Sequence, residues 1–481
     1  MQPDITSQST REQRFDQYIA LLADAVEHTD RATPLRDYCT GLLLPLERKS
    51  IEPIAAAIAP SKTKAKHQSL QQFITDAPWR DSAVLTAARN YALPALLAHG
   101  QVEATILDDT GLPKQGKHSV GVARQYCGEL GKVANCQVGV SLSLVNRWSS
   151  LPIAFDLYLP KEWANDQERR KKVGVPAKVE FRTKPQIALR QIEEAVKAGL
   201  ELGVIGADAA FGDDTAFRDA LTALGLRYCL GIREPTSVWE EDKEPLPPAT
   251  YSGHGRKAKL LRRDAKHQPI RVKELALSLP ANKFRKLSWR EGARGKLSSR
   301  FAALRVRAAH RDYLRSEERA EEWLLIEWPK GESEPTKYWL STLPPQSSLK
   351  KLVYFAKSRW RIERDYEELK QEVGLGHYEG RKWRGFHHHA TMCIAAYAFL
   401  VAERGLFPLQ EMAANLDSRE LKFPEVSEGE EPPVRTQRHN PTSIATLRKE
   451  LIVLLVRRLK RCPCCQRRNG ADREMFDELI E

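Results

Sequence analysis

The chain is predicted to be an α/β protein, with a mixed sheet flanked by helices, a β-rich interruption, and helical regions at both ends. Three observations carry this reading. Val138, Val140, Leu142 and Leu144 alternate strictly with their neighbours, the period of a strand with one buried face. Two further apolar runs, 104–107 and 202–207, close on acids: Asp108 and Asp109 in the first, Asp208 in the second. A stretch without Pro or Gly, 358–370, sets Ile362, Tyr366 and Leu369 at three- and four-residue steps, as an amphipathic helix does.

Residues 1–97 read as helical, since Phe15, Tyr18, Ile19, Leu22 and Ala25 keep a helical period and 82–93 forms a second such stretch before Pro94. The cations between them suit a small DNA-binding domain, and a plain helical bundle fits as well. Residues 98–232 hold the first part of the core. Here 104–111 reads as a buried strand ending in two acids and a turn, followed by strands over 136–145 and 151–159, an antiparallel meander. A charged loop over 161–178 leads to a helix over 185–200, a strand over 202–208, a helix over 215–224 and a fifth strand over 228–232. In mixed α/β chains strand interiors are apolar, so acids at strand ends point towards a functional crevice.

Residues 233–345 form a basic, β-rich insertion with strand-like pieces at 297–306 and 323–328. Residues 346–405 return to the core with the 358–370 helix, a loop over 377–385 and an apolar helix over 389–402 that packs on the sheet. Residues 406–481 hold a Pro- and acid-rich linker (424–433), one helix (443–460) and the cluster Cys462, Cys464 and Cys465.

The charge is 76 − 63 = +13, and its placement says more than its size. Between Tyr251 and Arg315 there are 19 Lys and Arg against 4 Asp and Glu, so the remainder is close to neutral. A basic excess concentrated in one segment points to a polyanion, most simply nucleic acid. No apolar run is long enough for a membrane span, and 8 cysteines in 481 residues are too few for a disulfide framework, so a reducing cytoplasm is expected.

Asp109, Asp208 and Glu363 are the candidate catalytic acids. Phosphodiester transfer by two metals needs carboxylates around two hard cations, and metal binding gives a reason to hold several acids together. Arg359, Glu363 and Lys370 share one helical stripe, suited to a metal ligand beside a phosphate; the same stripe also reads as a solvated salt-bridged face. Asp108 competes with Asp109 for the first position, and Asp365, Glu367 and Glu368 compete with Glu363.

Arg359-x3-Glu363-x6-Lys370, the Asp108-Asp109-Thr110 triplet, the 206–212 segment around Asp208, 135–140, and Tyr378-Glu379-Gly380-Arg381-x-Trp383-x-Gly385 together resemble the DDE transposases of bacterial insertion sequences. The resemblance is to the cut-and-paste group with a Tyr-x2-Arg-x3-Glu-x6-Lys signature, and it covers roughly 100–400. Ala356 stands where that signature has Tyr, with Tyr354 nearby.

The resemblance implies an RNase H-like core and a two-metal endonuclease using Mg²⁺, with Mn²⁺ able to substitute. Asp109, Asp208 and Glu363 would be the metal ligands; Asp109 is preferred to Asp108 because it directly precedes Thr110. Arg359 and Lys370 would hold phosphates. Trp289, with Arg290 and Arg294, is a candidate to stack on an extruded base, as in hairpin-forming relatives, or else a core tryptophan. The implied partners are double-stranded DNA (terminal inverted repeats and target) and a second copy in a synaptic homodimer, with no membrane, in a bacterial cytoplasm at the nucleoid. A non-catalytic DNA-binding descendant and a structure-specific nuclease of the same fold are the alternatives. His387, His388 and His389 are expected to be solvated or capping, because a helix aims consecutive residues in different directions. Cys462-x2-Cys465 resembles half of a zinc site, without a second pair.

Overall fold

The computed structural model describes residues 9–251, 256–292, 295–406 and 443–459. Arg294, the 424–433 linker and the 462–465 cysteines lie outside the described residues.

Five helices come first: α1 (Arg11–Ala25), α2 (Ala32–Leu43), α3 (Ile51–Ile58), α4 (Thr63–Gln71) and α5 (Asp81–Leu97). Strands β1 (Ala104–Pro113), β2 (Ala123–Cys127), β3 (Lys132–Val145) and β4 (Ser150–Tyr158) follow. Next come α6 (Lys161–Asn165), α7 (Gln167–Val173), α8 (Lys184–Lys197), β5 (Val204–Ala207), α9 (Ala209–Gly212), α10 (Thr215–Ala223) and β6 (Tyr228–Ile232). The insertion supplies β7 (Ser237–Trp239), β8 (Ile270–Arg271), α11 (Val272–Ser278), β9 (Arg285–Gly292), β10 (Gly295–Ala308), β11 (Glu322–Trp328) and β12 (Lys337–Ser341). Helices α12 (Leu349–Lys357), α13 (Trp360–Gln371) and α14 (Trp383–Gly405) complete the core, and a last described helix spans Ile444–Val456.

The described strands form one twelve-stranded sheet, ordered β2-β3-β1-β5-β6-β12-β11-β10-β7-β8, with β4 also on β3 and β9 on β10. β1 is antiparallel to β3 and parallel to β5, and β5 is parallel to β6. The insertion is therefore not a separate sheet: β12 pairs antiparallel with β6 and extends the core sheet. Some of its cations are paired within the protein, with Arg263 on Asp312, Arg307 on Glu321, and Arg315 and Arg319 on Asp219 of α10.

Three expectations are corrected. The first strand does not stop at its acids: Thr110 to Pro113 continue the ladder opposite Gly139 to Cys136. Gly111 is there for close approach rather than for a turn, since a Cβ would lie 2.6 Å from the Cys127 sulfur. The 161–178 segment is not simply a loop but carries the short helices α6 and α7; Asp166 caps the second, and Gly174 ends it at φ +70°. The histidines are not solvated, because α14 is buried on nearly every side. It lies between the sheet and the N-terminal helices, where Phe399 meets Phe15, Tyr18 and Tyr91. Each histidine thus meets a different neighbour: His387 Nδ1 faces the Trp383 carbonyl, His388 stacks on Trp79 at 3.5 Å, and His389 bonds the Tyr38 hydroxyl.

Where α13 meets α14, Asp365 is 1% exposed and accepts hydrogen bonds from the Ser150 and Tyr397 hydroxyls, with Ser143 beside it. Burial pushes its carboxyl up to about 7, with the Glu368 charge adding to the shift. Folded Asp365 keeps its proton where the unfolded chain, titrating near 4, has released it. Stability linked to this group is full below about pH 4 and is lost as pH rises towards 7. Asp365→Asn removes that linkage. Its melting temperature relative to wild type is expected to be a few degrees more favourable at pH 8 than at pH 5, by differential scanning calorimetry. An offset independent of pH would show that Asp365 titrates normally.

Candidate active site

The site lies midway along β1, just past its pairing with β5, at the C-terminal end of β5 and beside the start of α13. Strand alternation decides which acids meet there. Ala104 and Ile106 share a core cluster with Val353, Ile362 and Tyr366 of the α12–α13 face, whereas Leu107 belongs to the other cluster, which includes Ile187 and Ala188 of α8. Asp108 therefore belongs to the α13 face and Asp109 to the α8 face. Their partners agree: Asp108 Oδ2 accepts from Arg359 Nη1 at 2.5 Å, and Asp109 Oδ2 pairs with Lys184 Nζ of α8 at 2.8 Å.

β1 and β5 are in register at Ile106 and Gly206, so two more residues bring Asp108 level with Asp208. Val204 packs in the same cluster as Ile106, which puts Asp208, four residues on, on the Asp108 face. Asp208 caps α9, its Oδ1 accepting from the Ala210 N–H at 2.9 Å. Gly212, at the end of that short helix, lets it lie on β6, where a Cβ would stand 1.9 Å from the Gly231 carbonyl oxygen.

Glu363 comes from the first turn of α13 and accepts from Arg359 Nη2 at 2.6 Å, its side chain 53% exposed. One guanidinium thus joins Asp108 to Glu363. Tyr366, one turn further along, donates from its hydroxyl to the Asp108 carbonyl at 2.8 Å and lies 2.7 Å from Ser141 Oγ. Lys370 Nζ donates to the Gly111 carbonyl at 3.0 Å and pairs with Glu129, further along β1.

The electrostatics are those of crowded acids. Burial pushes Asp108 up to about 7; Arg359 opposes this, while Asp208 and Asp109 add to it. Burial also raises Asp208, with Asp109 adding to the shift and Arg359, the Ala210 N–H and Lys184 opposing it. Arg359 is raised despite its burial, by Asp108, Glu363 and Asp208. Among the described residues, no group of three or more His, Cys, Asp or Glu is arranged to hold a metal ion. Arg359 stands between two of the acids, and Lys184 neutralises a third.

Two of the competing acids of α13 are engaged elsewhere, and the third, Glu367, lies one turn beyond Glu363. Glu368 accepts from Tyr397 and Arg364, Asp365 is in the core, and Glu367 is exposed. Tyr354 donates to Glu103 and receives Arg361, at the opposite end of β1 from the acids. Trp289 lies edge-on to Phe301 at 5.6 Å and is covered by Lys357 Nζ at 4.2 Å, while Arg290 lies 4.7 Å over Trp360, the neighbour of Arg359. Lys184 and Tyr366 carried no motif. Tyr366 was visible only as an apolar step on the helix, and Lys184 as one lysine before a proline.

A model of the DDE superfamily endonucleases matches residues 21–296, more than half of the chain. The chain belongs to this family. Asp108, Asp109 and Asp208 of this DDE endonuclease fall inside the matched segment, and Glu363 lies beyond it. The chain is 30% identical over 194 residues to the probable transposase for insertion sequence element IS701 of Microchaete diplosiphon, an alignment taking in 40% of this chain and 47% of that relative. It thus spans about half the length of the curated relative it matches. It is also similar to the piggyBac transposase in its cryo-EM synaptic complex with hairpin DNA, with a TM-score of 0.40 and 9% identity over 95% of this chain and 83% of that one. Among the described residues, no helix is long and apolar enough to cross a membrane.

Proposed function

We propose that this DDE endonuclease is a cut-and-paste transposase, cleaving the DNA ends of an insertion sequence and joining them to target DNA. The observation that carries the reading is the convergence of Asp108, Asp208 and Glu363 on Arg359 where the parallel pairing of β1 with β5 ends. The order β4-β3-β1-β5-β6, three antiparallel strands followed by two parallel to β1, supports an RNase H-like core.

The donor set fits hard divalent cations: carboxylates only, two of them largely buried, with Arg359 as the cation they share. Asp108, Asp208 and Glu363 would hold Mg²⁺ or Mn²⁺, with Asp109 beside them on Lys184. Bound there, the cations would supply Lewis-acid activation of the attacking oxygen and stabilise the leaving one. The chain's own residues do the rest. Arg359, released from the carboxylates, is placed to hold a phosphate oxygen, and Lys370 a neighbouring one. Tyr366 fixes the backbone of Asp108, and the Ala210 N–H orients Asp208. No covalent protein intermediate is required. Cutting two ends together calls for a second copy, so a homodimer assembled on DNA belongs to the proposal.

The test is incubation of the purified protein with Mg²⁺, DNA carrying the terminal repeats that flank its gene, and a target plasmid. End cleavage and strand-transfer products are expected, both lost in Asp208→Asn and Glu363→Gln while DNA binding persists. Cleavage without any joined product would make the protein a nuclease of the same fold, and cleavage surviving in both variants would remove these acids from the chemistry.

A further inference from the structure

A cleft of about 830 Å³ opens further along β1 and α13 from the acids, with no residue of the basic insertion in its walls. Its walls are the loop after β1, the segment between α13 and α14, Lys370 of α13, and Arg48 from the link between α2 and α3. It is built rather than incidental. Lys114 Nζ donates to the Tyr378 carbonyl, Asn135 Nδ2 donates to the Lys114 and Gly116 carbonyls at 2.6 and 3.0 Å, and the Val120 N–H donates to the Arg381 carbonyl at 3.1 Å. Arg48, Lys114, Lys370 and Arg381 line it, with His118, against the carboxylates Glu129 and Glu379. Glu379 is paired with Arg48 and Glu129 with Lys370. Arg381 and His118 are exposed and have no carboxylate partner among the described residues.

The cleft is also in line with the reaction centre. Pro113 is five residues beyond Asp108 along β1, about 17 Å at strand rise. Lys370 is seven residues beyond Glu363 along α13, about 10 Å at helical rise. A DNA strand advances about 3.4 Å per nucleotide along a duplex, so the cleft falls about three to five nucleotides from a phosphate held at the acids.

We propose that this cleft is a binding site for the sugar-phosphate backbone of the DNA strand running on from the cut, with Arg381 and His118 as its free phosphate contacts. The proposal rests on the catalytic reading only for the direction of the strand. The cleft itself is tested by binding without metal, which is independent of cleavage.

The experiment uses the full chain in EDTA and a fluorescein-labelled duplex of about 30 base pairs, followed by anisotropy across a salt series. For His118→Ala/Arg381→Ala, measured at about pH 5.5, the slope of log affinity against log salt is expected to become shallower by about 2. That is the loss of two phosphate contacts, and binding at low salt should weaken at least about tenfold. Lys197→Ala/Arg227→Ala, which removes two exposed cations at the opposite end of the sheet, should leave slope and affinity as in wild type. A wild-type slope in the cleft variant, or an equal loss in the control, overturns the proposal. Cleavage that survives in Asp208→Asn is a separate observation and bears on the catalytic reading alone.

Discussion

Asp108→Asn is expected to lower the rate of Mg²⁺-dependent DNA cleavage by about 10³-fold or more, and Asp109→Asn by no more than about tenfold. The contrast follows from the alternation of β1. Only Asp108 faces α13, where it shares Arg359 with Glu363 and comes level with Asp208; Asp109 faces α8 and Lys184. A carboxylate-to-amide change at a metal ligand removes charge where it stabilises the transition state, an effect of several kcal/mol, and about 4 kcal/mol corresponds to 10³ in rate. Asp109→Asn instead leaves Lys184 without its partner and shifts the field at Asp208, a smaller and indirect disturbance. Single-turnover cleavage of end DNA, with binding measured in parallel, separates the two. Equal losses in both variants, or the larger loss in Asp109→Asn, would return the first position to Asp109.

The choice between Asp109 and Asp108 shows where the sequence stops being informative. Both acids close the same apolar run, and a one-residue difference reverses the face of the sheet. Choosing between them requires the register of β1 on β5 and the identity of the helices above and below, which are long-range facts. The strand's true length was hidden for a related reason: Thr110, Gly111 and Pro113 carry turn chemistry, and only the approach of Cys127 explains the glycine. By contrast, the 138–144 alternation, the α8 and α10 helices and the Arg359-x3-Glu363-x6-Lys370 stripe were legible, because each is a local periodicity. The joining of the insertion to the core through β6 and β12, and the burial of His388 and His389 on α14, depend on partners over 100 and over 300 residues away. No window of sequence contains them.

Arg359→Ala is expected to bind divalent cations more tightly than wild type in the absence of DNA, by about tenfold, although it should cleave far more slowly. Without metal or DNA, the Arg359 guanidinium compensates Asp108 and Glu363 and lowers the cost of charging Asp208. An incoming cation must compete with it for those carboxylate oxygens and is repelled by its charge. At an effective dielectric of about 20, charges about 4 Å apart interact by about 4 kcal/mol, so tenfold, about 1.4 kcal/mol, is a modest net expectation after solvent rearrangement. The same arginine is predicted to hold a phosphate oxygen once the cations and DNA have taken its carboxylates, so its loss costs catalysis while it favours metal. Calorimetric titration with Mn²⁺ or the non-activating Ca²⁺ reads the first effect without any turnover. If Arg359→Ala binds metal no better than wild type, Arg359 is not the cation that stands in for the metal. If it binds better and also cleaves at the wild-type rate, the phosphate role fails and only the compensating one remains. Arg359→Lys sharpens the distinction: it keeps the charge but cannot span both carboxylates with one planar fork, so its metal affinity should fall between the two.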